Sequence, residues 1–236
     1  MSDSDESTPK RVRFRPEVAP GVSHPAVFSK SILERLPSLF DDSHKLVLDP
    51  FAGTGKIHEL SNKMESSKLT TFGVEIEPEW ARLNHRTAVA NAIALPFRDE
   101  SFDAVVTSPT YGNRFADKHN AKDGSIRRSY THDLGRTLHA ENSGSMQWGQ
   151  AYRDLHVKAW AECFRVVRPG GLFVLNISDH VRAKRRQFVS SWHLQISLDL
   201  GFRLIRCETI TTNRLREGAN SSSRIDGEFL FVMVKP

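Results

Sequence analysis

Apolar residues in this chain fall into short β-branched runs separated by stretches of helical period. Ile32, Leu33 and Leu36 share one face of Ser29–Leu36, and Pro37 stops the pattern. Lys45–Asp49 and Thr70–Ile76 read as strands, each followed by a helical stretch, Lys56–Met64 and Pro78–Ala88, with Pro78 at a first helical turn. Leu95–Phe97 is a turn, and Ser101–Thr107 is a further apolar strand. Ala151–Val167 carries Leu155, Ala159, Cys163 and Val166 at helical spacing, Arg168–Gly171 ends it, and Leu172–Ile177 is strongly apolar. Ser190–Leu200 reads as a helix closed by Gly201. Phe202–Ile210 and Glu228–Val234 read as the last strands, joined without a helix. Such alternation predicts an α/β fold with a doubly wound, mostly parallel sheet and an antiparallel C-terminal strand. Two stretches escape the pattern. Residues 1–22 form a Ser/Asp/Glu-rich tail and the basic arm Arg11–Arg15, expected to be disordered. A polar insertion at about 113–150 is expected to be irregular.

The 236 residues suffice for one domain, and 39% hydrophobic with 26% charged residues is the balance of a soluble globular chain. No apolar run reaches the length of a membrane span and the N-terminus lacks a signal-peptide core, so a cytoplasmic protein without membrane contact is expected. Cys163 and Cys207 lack metal-ligand spacing and are expected to be small buried hydrophobes. The histidines of the insertion lack it too, so no metal is expected. A net charge of +5 favours a polyanionic partner.

Candidate chemistry lies where strands end. Asp49-Pro-Phe-Ala-Gly-Thr-Gly55 leaves the first strand and opens onto a helix. Its glycines permit a tight turn and close approach to a ligand. The loop lacks the full dinucleotide fingerprint and the Lys-Ser/Thr pair of a phosphate loop. With Phe51 in it, the loop suits a cofactor with a sugar and a charged amino-acid tail better than a pyrophosphate. Glu75, at the tip of the second strand, stands where a ribose diol is bound in such sheets, and Glu77 only favours the next helix dipole. Asn91, followed by Ala92, falls at the end of a third strand, where its amide can read an adenine edge.

The second loop, Thr107-Ser-Pro-Thr-Tyr111, offers a Ser108 hydroxyl, the Pro109 carbonyl and the flat face of Tyr111. Acceptors of that kind hold an exocyclic amine, whose lone pair is delocalised into the base, in a geometry from which it can be methylated.

Together these stretches resemble the S-adenosylmethionine-dependent amino-methyltransferases of nucleic acids, over about Ser23–Val234. The resemblance implies a Rossmann-like three-layer α/β/α sandwich and S-adenosylmethionine as cofactor. It implies cofactor contacts from Asp49, Phe51, Gly53, Gly55, Glu75, Asn91 and Ala92. His24–Phe28 is similar to the segment on the methionine end of the cofactor, although Phe28 equally fits a hydrophobic staple. Ser108, Pro109 and Tyr111 match the family's Asp/Asn/Ser-Pro-Pro-aromatic signature, whose serine form is associated with cytosine N4. Thr110 departs from it by replacing the second proline. The implied reaction is methylation of cytosine N4 or adenine N6, in DNA ahead of RNA. With no separate recognition domain expected in these residues, the reading calls for a specificity subunit or a homodimer. A non-catalytic binding module is the alternative from another class.

Arg114, Arg127 and Arg128 in the insertion, interleaved with Tyr130 and Trp148, are candidates for phosphate and base contact. So are Arg182, Arg185 and Arg186, which follow Asp179-His180 at the next strand end. His180 reads either as a structural histidine or as a proton acceptor.

Overall fold

The computed structural model describes residues 24, 28–64, 68–112, 129–182, 184–211 and 227–236. Helix α1 (Lys30–Arg35) starts at Ser29, whose hydroxyl accepts from the Ile32 amide. Strand β1 (Leu46–Asp49) leads through the glycine loop and a 3-10 turn (Lys56–His58) into α2 (Glu59–Lys63). Then come β2 (Thr70–Glu75), α3 (Pro78–Ala81), β3 (Thr87–Val89) and β4 (Phe102–Thr107). Helices α4 (Tyr130–Leu134) and α5 (Gln150–Val166) precede β5 (Val167–Ile177) and a hairpin of β6 (His180–Arg182) and β7 (Arg185–Gln187). Helix α6 (Val189–Asp199) and strands β8 (Arg203–Thr211) and β9 (Gly227–Val234) complete the order.

Seven strands form one sheet in the order β3-β2-β1-β4-β5-β9-β8. Neighbours from β3 to β5 are parallel, and β9 runs antiparallel to both β5 and β8. Alternate strand residues feed two cores. Leu48, Val105, Phe173 and Leu175 pack on the α5/α6 side, with Trp160 and Phe202. Val47, Ala104, Val106 and Val174 pack on the α1/α2 side, with Ile32 and Leu60. The result is the expected three-layer α/β/α sandwich with its antiparallel C-terminal strand.

Four expectations are corrected. The helix begun at Pro78 stops at Ala81 instead of Ala88. The Asn84 side chain accepts from the Arg86 amide in a local turn; Thr87 and Ala88, which the helix reading had absorbed, belong with Val89 to a strand that pairs with β2 just before Asn91, where a strand end was expected. Strand β5 begins at Val167, because Gly170 and Gly171 exchange backbone hydrogen bonds with Lys235 and keep the chain at the sheet. The described part of the insertion is ordered. Tyr130, Leu134 and Leu138, spaced by four, pack with Trp80. Cys163 is buried as expected, but Cys207 lies exposed on β8. Residues 1–22 lie outside the described residues. Among those described, no helix is long and apolar enough to cross a membrane.

Candidate active site

The strand order reverses between β1 and β4, whose neighbours lie on opposite sides. A crevice forms at the carboxyl end of such a switch point. Both candidate loops leave the sheet there, and one contact joins them. Thr107 Oγ1, the last residue of β4, donates to Asp49 Oδ1 at 2.8 Å. The same oxygen accepts from the Phe51 amide at 3.0 Å and so sets the first turn of the glycine loop. Gly55 adopts φ +82°, and a Cβ there would stand 2.8 Å from His58 Cδ2. Gly73 permits β2 to approach the loop, since its Cβ would meet that of Ala52 at 2.7 Å. His58 is pinned between Thr71 and Thr87 hydroxyls, and burial lowers its pKa to about 4.

Glu75 is buried with both carboxylate oxygens engaged. One accepts from the Gly53 amide and the other from the Glu77 amide, each at 2.9 Å. Burial raises its pKa to about 7, and burial likewise raises Asp49 to about 7. Two buried carboxyls poised near neutrality face the same crevice.

Glu77 does more than favour a helix dipole. Fully buried, it accepts from the His139 amide at 2.7 Å and from Asn142 Nδ2 at 2.8 Å, with the Arg136 guanidinium 2.8 Å from its second oxygen. The ordered part of the insertion is thereby tied beside the crevice. Glu141 extends this tie by accepting from Asn91 Nδ2 at 2.8 Å, while Asn91 Oδ1 accepts from the Ile93 amide. Both ends of the amide expected to read adenine are therefore engaged within the protein. Ala92 is buried in the adjoining core. Phe51 stacks on His156 at 5.5 Å. Phe28 is buried in the same cluster as Leu33, its staple position, which favours that reading of it. His24 lies over Gly53, 3.1 Å from where a Cβ would stand, and meets Trp80 and Tyr130 edge-on.

In the second loop the Ser108 and Tyr111 hydroxyls lie 3.3 Å apart, and both residues are half-buried around buried Pro109. Thr110 is held at two points. Its hydroxyl donates to Ser143 at 2.9 Å, and its carbonyl accepts from the Tyr152 hydroxyl. Behind Tyr152 stands a buried relay. Trp160 Nε1–H can only donate, and it donates to His193 Nδ1 at 2.9 Å. His193 is thus neutral with its proton on Nε2, which faces the Tyr152 hydroxyl at 2.9 Å. Burial holds its pKa far below the usual value, in agreement. Burial lowers the pKa of His180, whose Nδ1 is buried with no hydrogen-bond partner among the described residues. Gly112 packs on Trp148 through its carbonyl, which accepts from the Trp148 amide at 2.7 Å.

The structure brings Asp49, Phe51, Gly53, Gly55, Glu75, Ser108, Pro109 and Tyr111 to one sheet edge. Arg182 and Arg185 are exposed on the β6–β7 hairpin leaving that edge. Arg186 is instead paired with buried Asp179, its Nε at 2.8 Å and its second nitrogen at 2.7 Å. Arg114, Arg127 and Arg128 lie outside the described residues. Tyr130, expected to meet substrate, is buried, and Trp192 is half-buried against Trp148. Among the described residues no group of three or more His, Cys, Asp or Glu side chains could hold a metal ion. The sequence reading missed Tyr152, His193 and Glu141, whose roles arise from contacts 42, 41 and 50 positions apart.

Solved structures share this architecture at low sequence identity. A SAM-dependent methyltransferase of Methanosarcina mazei matches 85% of this chain and 97% of its own, with TM-score 0.51 and 14% identity. The fold is that of the class I S-adenosylmethionine-dependent methyltransferases. A complex of the Trm112 methyltransferase activator with a methyltransferase from Haloferax volcanii matches at TM-score 0.50 and 15% identity, over 82% of this chain and 83% of that one. The [4+2]-cyclase SpnF matches at 0.51 and 14%, over 86% and 81%. No protein-family model matches the chain. No curated protein matches it either.

Proposed function

We propose that this protein transfers a methyl group from S-adenosylmethionine to an exocyclic amino group of a nucleic-acid base, cytosine N4 or adenine N6, in DNA ahead of RNA. A methyltransferase fold also serves a cyclase, so the reading rests on the loops. The observation that carries it is the joining of the glycine loop and the Ser108–Tyr111 loop through Thr107 and Asp49 at the switch point.

The chain's own residues suit that cofactor. Each Glu75 oxygen accepts one backbone amide and keeps lone pairs for a diol. Asp49 and Glu75 supply negative charge for a cationic ligand. Asn91 reads the adenine edge once Glu141 yields its amide. When bound, the cofactor supplies an electrophilic methyl on a sulfonium. Ser108 and the Pro109 carbonyl accept from the amine and hold it with its lone pair directed at the crevice. Tyr111 stacks on the base. Neutral His180, beside the Tyr111 backbone, is available to take the proton afterwards. The H. volcanii neighbour is found with an activator, so the reading allows a specificity subunit or a second copy as partner.

Labelled methyl transfer to duplex DNA, single-stranded DNA, RNA and free nucleosides tests the proposal. Label in a polynucleotide, lost in Tyr111→Ala, is expected. Label confined to RNA would move the substrate to that polymer. Label confined to small amines, or none despite cofactor binding, would overturn the reading.

A further inference from the structure

We infer that the β6–β7 hairpin, with Phe188 at its exit, is a clamp for a single polynucleotide strand entering the site. This rests on the nucleic-acid reading above and assigns it a surface. Three observations support it.

The hairpin follows β5 at the catalytic edge and starts at His180, two residues after Ser178. Its exposed cations Arg182, Lys184 and Arg185 have no carboxylate in salt-bridge range among the described residues, whereas Arg186 is spent on Asp179. A run of unpaired cations beside the candidate site complements a phosphate chain.

Phe188 is 61% exposed, more than any other large apolar side chain described. Arg186 lies over its ring at 5.3 Å, and Asp179 anchors both sides of it by accepting from Arg186 and from the Ser190 amide at 2.8 Å. An exposed ring braced from below is a stacking platform, which a strand of any sequence can use.

Lys184 sits in the two-residue turn between Arg182 and Arg185 at φ +60°. That conformation suits glycine or asparagine, and lysine there is strained. Placing a cation at the tip despite the strain points to function. It also separates the two roles. Lys184→Gly relieves the backbone while deleting the charge, so stability and affinity move in opposite directions.

Anisotropy titrations with fluorescein-labelled 20-nucleotide single strands of DNA and RNA, from 50 to 200 mM salt, test the clamp in the full chain. Phe188→Ala should weaken binding about tenfold, and Phe188→Trp should retain it. Lys184→Gly should weaken binding several-fold and lower the salt slope by about 0.7, with an unfolding midpoint equal to or above wild type. If the wild type methylates a polynucleotide yet these variants bind it with unchanged affinity and slope, the clamp is refuted and the methyltransferase reading stands. If the wild type binds neither strand and methylates only small amines, both fall.

Discussion

Replacing Tyr152 by phenylalanine isolates what holds the catalytic loop. The ring keeps its packing against His156 and Trp148, so the change is confined to one hydroxyl. Its loss orphans the Thr110 carbonyl on one side and His193 Nε2–H on the other, both at buried or half-buried positions. A buried polar group left without a partner costs about 1–3 kcal/mol. Because Thr110 is only half-buried, its carbonyl can turn to water, so one full penalty is expected, at His193, with a smaller one at the loop. A loss of about 2 kcal/mol lowers the midpoint of a chain this size by about 4–8 °C. Methyl transfer should fall further than unfolding explains, through kcat, since a loop displaced by about an ångström loses on the order of a hundredfold in rate. Denaturant unfolding of the wild type, Tyr152→Phe, Trp160→Phe and the double variant reads the relay directly. The two losses should be strongly non-additive, because the Trp160 bond fixes the His193 tautomer that Tyr152 uses. Additive losses, or a Tyr152→Phe cost below about 0.5 kcal/mol, the usual scale of an unremarkable surface substitution, would refute the relay.

Cofactor affinity should rise between pH 6 and 8. Burial places Asp49 and Glu75 near pKa 7, and a cation favours their ionised forms, so binding releases protons around neutrality. Calorimetry in two buffers of different ionisation enthalpy should show that release, and Glu75→Gln should diminish it. Acid unfolding has the same sign for His58 and His156. Their folded pKa values of about 4 lie below the ordinary 6.5, so the unfolded chain binds protons first, and their contribution to stability is lost as pH falls from 6.5 to 4. His58→Gln should flatten that limb in urea titrations. Glu77→Gln should loosen the insertion and speed proteolysis after residue 129 severalfold, because Arg136, His139 and Asn142 all converge on that carboxylate. Asp103→Ala should cost about 2 kcal/mol by releasing the Lys45 and Leu46 amides and the Arg168 guanidinium together.

The alternation of β-branched runs and helical periods made the sheet and its antiparallel end legible, because each of those elements buries a face whose period is written locally. Asp49, Gly53, Gly55, Glu75 and Ser108 were placed correctly at the sheet edge since parallel strands of known direction leave little freedom for their carboxyl ends. What escaped is non-local. Nothing near Glu77 tells that it faces Arg136 and Asn142, and nothing near Tyr152 tells that it supports Thr110. The helix drawn through Thr87 and Ala88 failed because sheet pairing outweighed a helical spacing. The described part of the insertion was misread because its polar residues hid Tyr130, Leu134 and Leu138, which share a four-residue period.

The central claim is that the crevice between the Asp49 and Ser108 loops methylates a base amine. Mass spectrometry of nucleosides from DNA incubated with the protein and S-adenosylmethionine tests it most directly. Wild type is expected to yield N4-methylcytosine or N6-methyladenine, and Tyr111→Ala neither. Modified bases at equal yield from that variant, or methyl only on other atoms, would contradict it.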